Sequence, residues 1–146
     1  MVRAKRRGGA KIFALPLMRL PSIATPKTIG HIALMVCDPT RTAALHTQLF
    51  DDSAVKPVED DGGGGHGVLV QLGGTCFVLT KGAPPARCNG DHIAFVMSKA
   101  EQLVCAERLK LLRLECQFAR GDSALYFTDY DNHVFELDAE GGGVTG

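Results

Sequence analysis

Two histidines and a glutamate are the residues of this chain best placed to do chemistry. His31-Ile32-Ala33-Leu34-Met35-Val36 recurs 61 residues later as His92-Ile93-Ala94-Phe95-Val96-Met97. One histidine opening a strand is ordinarily a polar strand-end residue. The same residue at equivalent places in a repeat suggests two copies of one module meeting at a shared site. Glu136 stands between Phe135 and Leu137, so alternation puts it on the face opposite those two, with Val134 and Asp138. A curved sheet built from both modules brings His31, His92 and Glu136 together. Two imidazoles and one carboxylate hold a divalent cation and leave positions open for water and substrate, as catalytic metals require.

The elements that must position these residues read as strand, helix and three strands, twice. The first strand runs from His31 to Val36, with both faces largely apolar. Asp38 is an N-cap and Pro39 a first helical residue, and the helix continues to about Phe50. Strands follow at 54–58, 68–72 and 76–80, the last two joined at Gly73-Gly74. A loop of acidic residues and the four glycines Gly62 to Gly65 precedes them. The linker 82–90 leads to a second strand ending at Met97. Ser98 and Glu101 then form a capping box, and a helix runs through Leu103, Ala106, Leu109 and Leu112. Strands at 115–118, 124–128 and 133–138 complete the module. Tyr126 has the phase to line the concave face. His133 reads as a turn or surface residue, and His46 as a solvent-facing residue of the first helix.

These elements give an α+β fold: two βαβββ modules, 29–82 and 91–139, forming a curved mixed sheet around a metal site. Residues 140–146 read as a flexible tail. Residues 1–28 read as a basic extension without fixed structure, because Asp38 is the first acidic residue. An export or organelle leader, or a true start at Met18, are the alternatives there. The 16 basic and 16 acidic residues cancel, and the basic excess is confined to the first segment, so nothing supports nucleic-acid binding. No apolar run is long enough for a membrane span. Cys37, Cys76, Cys88, Cys105 and Cys116 are odd in number and lack CxxC spacing. They read as reduced thiols of a cytoplasmic protein rather than disulfides or a zinc site.

Gly30-His31-Ile32-Ala33, Asp91-His92-Ile93-Ala94-Phe95 and the run from Tyr126 to Leu137 resemble the vicinal oxygen chelate superfamily. That superfamily includes glyoxalase, extradiol dioxygenases, bleomycin-resistance proteins and fosfomycin-resistance proteins. The resemblance covers roughly residues 29–139 and is greatest to the fosfomycin epoxide hydrolases. It implies a divalent metal, usually Mn2+, with Fe2+, Zn2+ or Ni2+ as alternatives, held by His31, His92 and Glu136. It implies a small anionic substrate contacted by Tyr126, and opening of an epoxide by water or a thiol. It also implies a homodimer in which His31 of one chain joins His92 and Glu136 of the other.

Three departures from the family pattern matter. Ala33 stands where the family has a threonine, and its side chain cannot donate a hydrogen bond. Gly67 falls where the hydrolases carry a glutamate base; the neighbouring His66 takes that role only if the glycine-rich loop shifts by one residue. The family's C-terminal arginine, which grips the phosphonate, has no counterpart near Thr145, and Arg120 and Lys81 are the candidate replacements. Two other functions stay open on these residues. One is an iron(II) extradiol dioxygenase or another glyoxalase-type lyase or isomerase. The other is a non-catalytic drug-binding resistance protein.

Overall fold

The computed structural model describes residues 23–58 and 67–141. Most of the basic extension, His66 and the last five residues therefore lie outside the described residues. The first module consists of β1 (Ile32–Val36), α1 (Pro39–Leu49), β2 (Ser53–Pro57), β3 (Gly67–Leu72) and β4 (Thr75–Lys81). The second consists of β5 (His92–Met97), α2 (Lys99–Leu111), β6 (Cys116–Ala119), β7 (Ala124–Thr128) and β8 (Val134–Ala139). Each module forms its own four-stranded sheet, β1-β4-β3-β2 and β5-β8-β7-β6. In both, the first strand is an outer strand, parallel to the last strand of its module, and the other pairings are antiparallel. The paired βαβββ architecture expected from the repeat is the one found.

Local chemistry sets the helix starts. The Asp38 side chain accepts from the Arg41 backbone N–H, with Pro39 in the first turn. In α2 the Ser98 hydroxyl accepts from the Glu101 N–H while the Glu101 carboxylate accepts from the Ser98 N–H. Gln102 then ties α2 to its sheet, because its buried amide donates to the Leu137 and Ser123 carbonyls at 2.8 and 2.9 Å.

One apolar core joins the modules. Phe77 of β4, Phe95 of β5 and Phe135 of β8 meet there, with Phe95 and Phe135 stacked at 6.3 Å. Ile32, Leu34, Ile93, Phe95 and Met97 pack against this core. The alternate residues His31, Ala33, Met35, His92, Ala94 and Val96 stay exposed. This corrects the reading of β1 as covered on both faces. Within one chain the repeated strands cover only one face, and the histidines open the other.

The β7–β8 turn is built by Asp129. Its buried carboxylate accepts from the Asp131 and His133 backbone N–H groups and pairs with His133 Nδ1 at 2.8 Å. His133 is thus a half-buried turn residue with a partner. The Asp131 carboxylate accepts from the Cys37 N–H, and the Asn132 amide donates to the Pro85 carbonyl. The turn that leads into β8 is therefore latched to the first module.

His46 is a correction. It is 1% exposed, not solvent-facing, and its ring meets Phe77 and Phe135 edge-on at 5.8 Å each. Pro39, Thr42, Ala43, His46 and Leu49 are all buried, a helical stripe that includes the histidine. Its ring nitrogens find no hydrogen-bond partner among the described residues. Burial lowers its pKa from 6.5 to about 4, against the opposing charge of Asp129. The unfolded chain therefore takes up this proton first as pH falls, and stability drops from pH 6.5 down to about 4. The shift corresponds to about 3 kcal/mol. His46→Leu is expected to flatten that limb, seen as urea midpoints that no longer fall between pH 6.5 and 4.

Candidate metal and anion site

The second module gathers five side chains on its open face. His92 begins β5 beside Val134, and Glu136 lies one alternation further along β8, opposite Ala94 and Tyr126. Asp138 follows on the same face as Glu136, opposite Ala124. Arg120 reaches in from the β6–β7 loop. His92 Nε2 is 3.1 Å from Glu136 Oε1, and the His92 and Tyr126 rings meet edge-on at 5.9 Å. One terminal nitrogen of Arg120 donates to both Glu136 and Asp138, at 2.8 Å to the latter, and the other donates to the Tyr126 hydroxyl at 2.9 Å. Glu136 is 2% exposed, whereas the His92 side chain is 41% exposed at the mouth.

The electrostatics follow from this packing. Burial raises the Glu136 pKa, but hydrogen bonds from Asp138, Arg120 and Tyr126 outweigh it and hold the carboxyl at about 2. Asp138 moves the other way, raised by burial and by the adjoining Glu136 carboxylate. The Arg120 pKa is raised by its bonds to Glu136 and Tyr126. The face thus carries an ionised, nearly buried glutamate whose charge is met by Arg120.

The donor set fits a metal ion on an independent ground. His92 Nδ1 lies 3.0 Å from the Gly90 carbonyl oxygen, which can only accept, so in the neutral ring the hydrogen sits on Nδ1. Nε2 then turns its lone pair toward a carboxylate oxygen. The 3.1 Å between His92 Nε2 and Glu136 Oε1 is that of a histidine–carboxylate pair, and the same two atoms can share a cation. Ligands at right angles around a cation, each about 2.1 Å away, stand about 3.0 Å apart. A backbone carbonyl holding the remote ring nitrogen is also the usual anchor of a ligating histidine.

The other expected residues lie elsewhere. His31 is exposed immediately before β1 and joins neither His92 nor Glu136. No group of three metal-capable side chains forms within the single chain among the described residues. Lys81 ends β4 opposite Val36, at the far end of β1 from His31, about 16 Å along the strand. Gly67 opens β3, and a Cβ there would stand 3.2 Å from the Leu79 carbonyl oxygen, so the backbones approach too closely for an easy side chain. Asp138 had been placed beside Glu136 by alternation without being given a part. Its signal was the Glu-x-Asp spacing on one strand face.

No family model matches the chain. Among curated proteins it is 29% identical over 117 residues to the fosfomycin resistance protein FosX of Listeria innocua, covering 76% of this chain and 88% of that protein. FosX from Mesorhizobium loti superposes with a TM-score of 0.68 at 25% identity, over 82% of this chain and 94% of that one. A mutant FosX from Listeria monocytogenes, complexed with Mn(II) and 1S,2S-dihydroxypropylphosphonic acid, superposes with a TM-score of 0.69 at 27% identity. That match covers 79% of this chain and 94% of the other.

The depressed Glu136 pKa sets an acid limb distinct from that of His46. Its contribution is complete above the ordinary carboxyl value of 4.5 and is lost as pH falls to about 2. Glu136→Gln is expected to lower stability more at pH 6 than at pH 2, measured by urea unfolding at both. The resemblance read from the sequence holds: the chain is similar in sequence to the FosX fosfomycin resistance proteins and shares their fold of paired βαβββ modules.

Proposed function

We propose that this chain is a Mn(II)-dependent enzyme that opens the epoxide ring of fosfomycin, or of a closely similar small phosphonate, by adding water. The observation that carries this reading is His92 Nε2 standing 3.1 Å from the nearly buried Glu136 carboxylate, on a fold that matches the FosX proteins. The ligand of the Mn(II)-bound FosX mutant supports the substrate class, because a vicinal dihydroxypropyl phosphonate is what water addition to a propyl epoxide yields.

His92 and Glu136 are the ligands this module offers, and His31 is the third. Bound there, a divalent cation supplies Lewis-acid polarisation of the epoxide oxygen. The residues do the rest. Gly90 fixes the His92 ring, and Tyr126 and Arg120 present an O–H and N–H groups to an anionic oxygen at the mouth. A phosphonate is doubly charged near neutral pH, and a guanidinium fork matches its oxygens.

The third ligand comes from a second copy. β1 and β5 are both outer strands with a free edge, and each starts next to or at its histidine. A two-fold pairing that sets β1 of one copy beside β5 of another completes two sites at once. It also covers the exposed residues Met35 and Val96. All five cysteines are free in the fold, which suits a reducing cytoplasmic setting.

A phosphorus NMR time course of fosfomycin with Mn(II)-loaded protein is expected to show the diol without added thiol. A product seen only with glutathione would replace water by thiol as nucleophile, and no turnover would overturn the substrate. The shared site has its own test. His31→Ala and His92→Ala homodimers are each expected to be inactive. After mixing and subunit exchange, about a quarter of wild-type activity should return, since each hybrid holds one intact site. No recovery would place all ligands on one chain.

A further inference from the structure

We propose that Arg120 is an internal counter-ion of the metal site. Its guanidinium neutralises Glu136 while no metal is bound, yields Glu136 to the metal, and stays tethered by Asp138 to become the anion-binding group. This inference rests on the metal reading of His92 and Glu136 above.

The geometry of the fork points to it. A single terminal nitrogen bridges Glu136 and Asp138, while the opposite nitrogen holds Tyr126. Glu136 turns one oxygen to His92 and the other to Arg120, so a metal held with His92 would compete with Arg120 for the carboxylate. A divalent cation and a guanidinium repel one another across one carboxylate. Arg120 alone has a second buried carboxylate to fall back on, so it can release Glu136 without being cast into solvent. Asp138 therefore acts as a positioning residue for Arg120.

The backbone is built to aim this side chain. Arg120, Gly121 and Asp122 all have left-handed backbone, with φ of 49°, 62° and 65°. Two of these are not glycine, a conformation that is disfavoured unless the surroundings hold it. The Ser123 N–H and hydroxyl both donate to the Arg120 carbonyl, at 3.2 and 2.8 Å, and Lys99 donates to the Asp122 carbonyl. The loop is thus pinned from both its own strand and α2. The guanidinium remains 36% exposed while both carboxylates it bridges are nearly buried, so its free donors face the mouth.

Metal binding and anion binding are then coupled. Before the metal enters, Arg120 spends its donors on two carboxylates, whose charge also repels an incoming phosphonate. After the metal takes Glu136, a donor is released beside the Tyr126 hydroxyl. The order is metal first, anion second, with reciprocal strengthening of each by the other.

Mn(II) binding followed by electron paramagnetic resonance, and sulfate binding by calorimetry, test this on the full chain. Wild-type protein is expected to bind sulfate measurably only when Mn(II)-loaded. Arg120→Lys, whose ammonium cannot span the two carboxylates and Tyr126 together, is expected to bind Mn(II) about tenfold more tightly than wild type. Asp138→Asn is expected to bind Mn(II) about tenfold more weakly and, at saturating Mn(II), to lose sulfate affinity by a similar factor of about ten. If Arg120→Lys binds Mn(II) as wild type does, its charge matters but its bridge does not, and the proposal falls. Equal sulfate affinity with and without Mn(II) also overturns it. Failure of wild-type protein to bind Mn(II) removes the metal reading as well, whereas Glu136-dependent Mn(II) binding with unaltered Arg120→Lys removes only this inference.

Discussion

A carboxylate taken out of water must be given a positive partner, and Glu136 is the place where this chain meets that demand. Its neighbours in sequence, Phe135 and Leu137, are core residues, so β8 is fixed by apolar packing whatever happens on the other face. The glutamate is then held in a nearly buried position on the side away from them. Desolvation alone would neutralise it. Instead Arg120 and Tyr126 hold it ionised, and His92 Nε2 stands 3.1 Å from it. A nearly buried, ionised carboxylate is a costly arrangement for stability alone. It is suited to a site whose cation comes and goes.

The rest of the fold supplies that carboxylate with its geometry. Asp129 closes the turn that starts β8, while Asp131 anchors the same turn to the first module and Asn132 anchors it to the linker at Pro85. The aromatic core behind the sheet, from Phe77 through Phe135 to Phe95, fixes the angle between modules. His46 sits inside this core with neither ring nitrogen bonded among the described residues, close to the Asp129–His133 pair. The inter-module core is therefore least secure in acid, at the point from which β8 is positioned.

Much of this was legible in the residues. The repeated histidine pattern, the two capping signals and the turn residues placed all ten elements to within about two residues, because each rests on local chemistry. Alternation along β8 puts Asp138 on the Glu136 face, and the phase of Tyr126 with Ala124 and Thr128 directs it to the same side. What was not legible depends on distant contacts. The burial of His46 comes from a second module that packs over α1, although its helical spacing with Thr42, Ala43 and Leu49 carried a hint. Arg120 reaches the site only because three consecutive residues adopt left-handed backbone, which composition does not announce at Arg-Gly-Asp. The separation of His31 from the cluster is a property of the single chain, and one strand pattern cannot say whether its open edge is filled from within or by another copy.

The departures from the family pattern acquire a common physical sense at this point. Alanine at 33 and glycine at 67 withdraw polar side chains from the first module, and at Gly67 the adjacent Leu79 carbonyl leaves little room to restore one. The second module is correspondingly rich, with Arg120, Tyr126, Glu136 and Asp138 in one hydrogen-bonded network. On the proposed reading, Arg120 and Tyr126 place anion recognition directly beside His92 and Glu136. A cation so close to the ligands helps hold a dianion but opposes a second cation. The two demands are compatible only if the arginine has somewhere else to lean, and Asp138 is the residue that provides it.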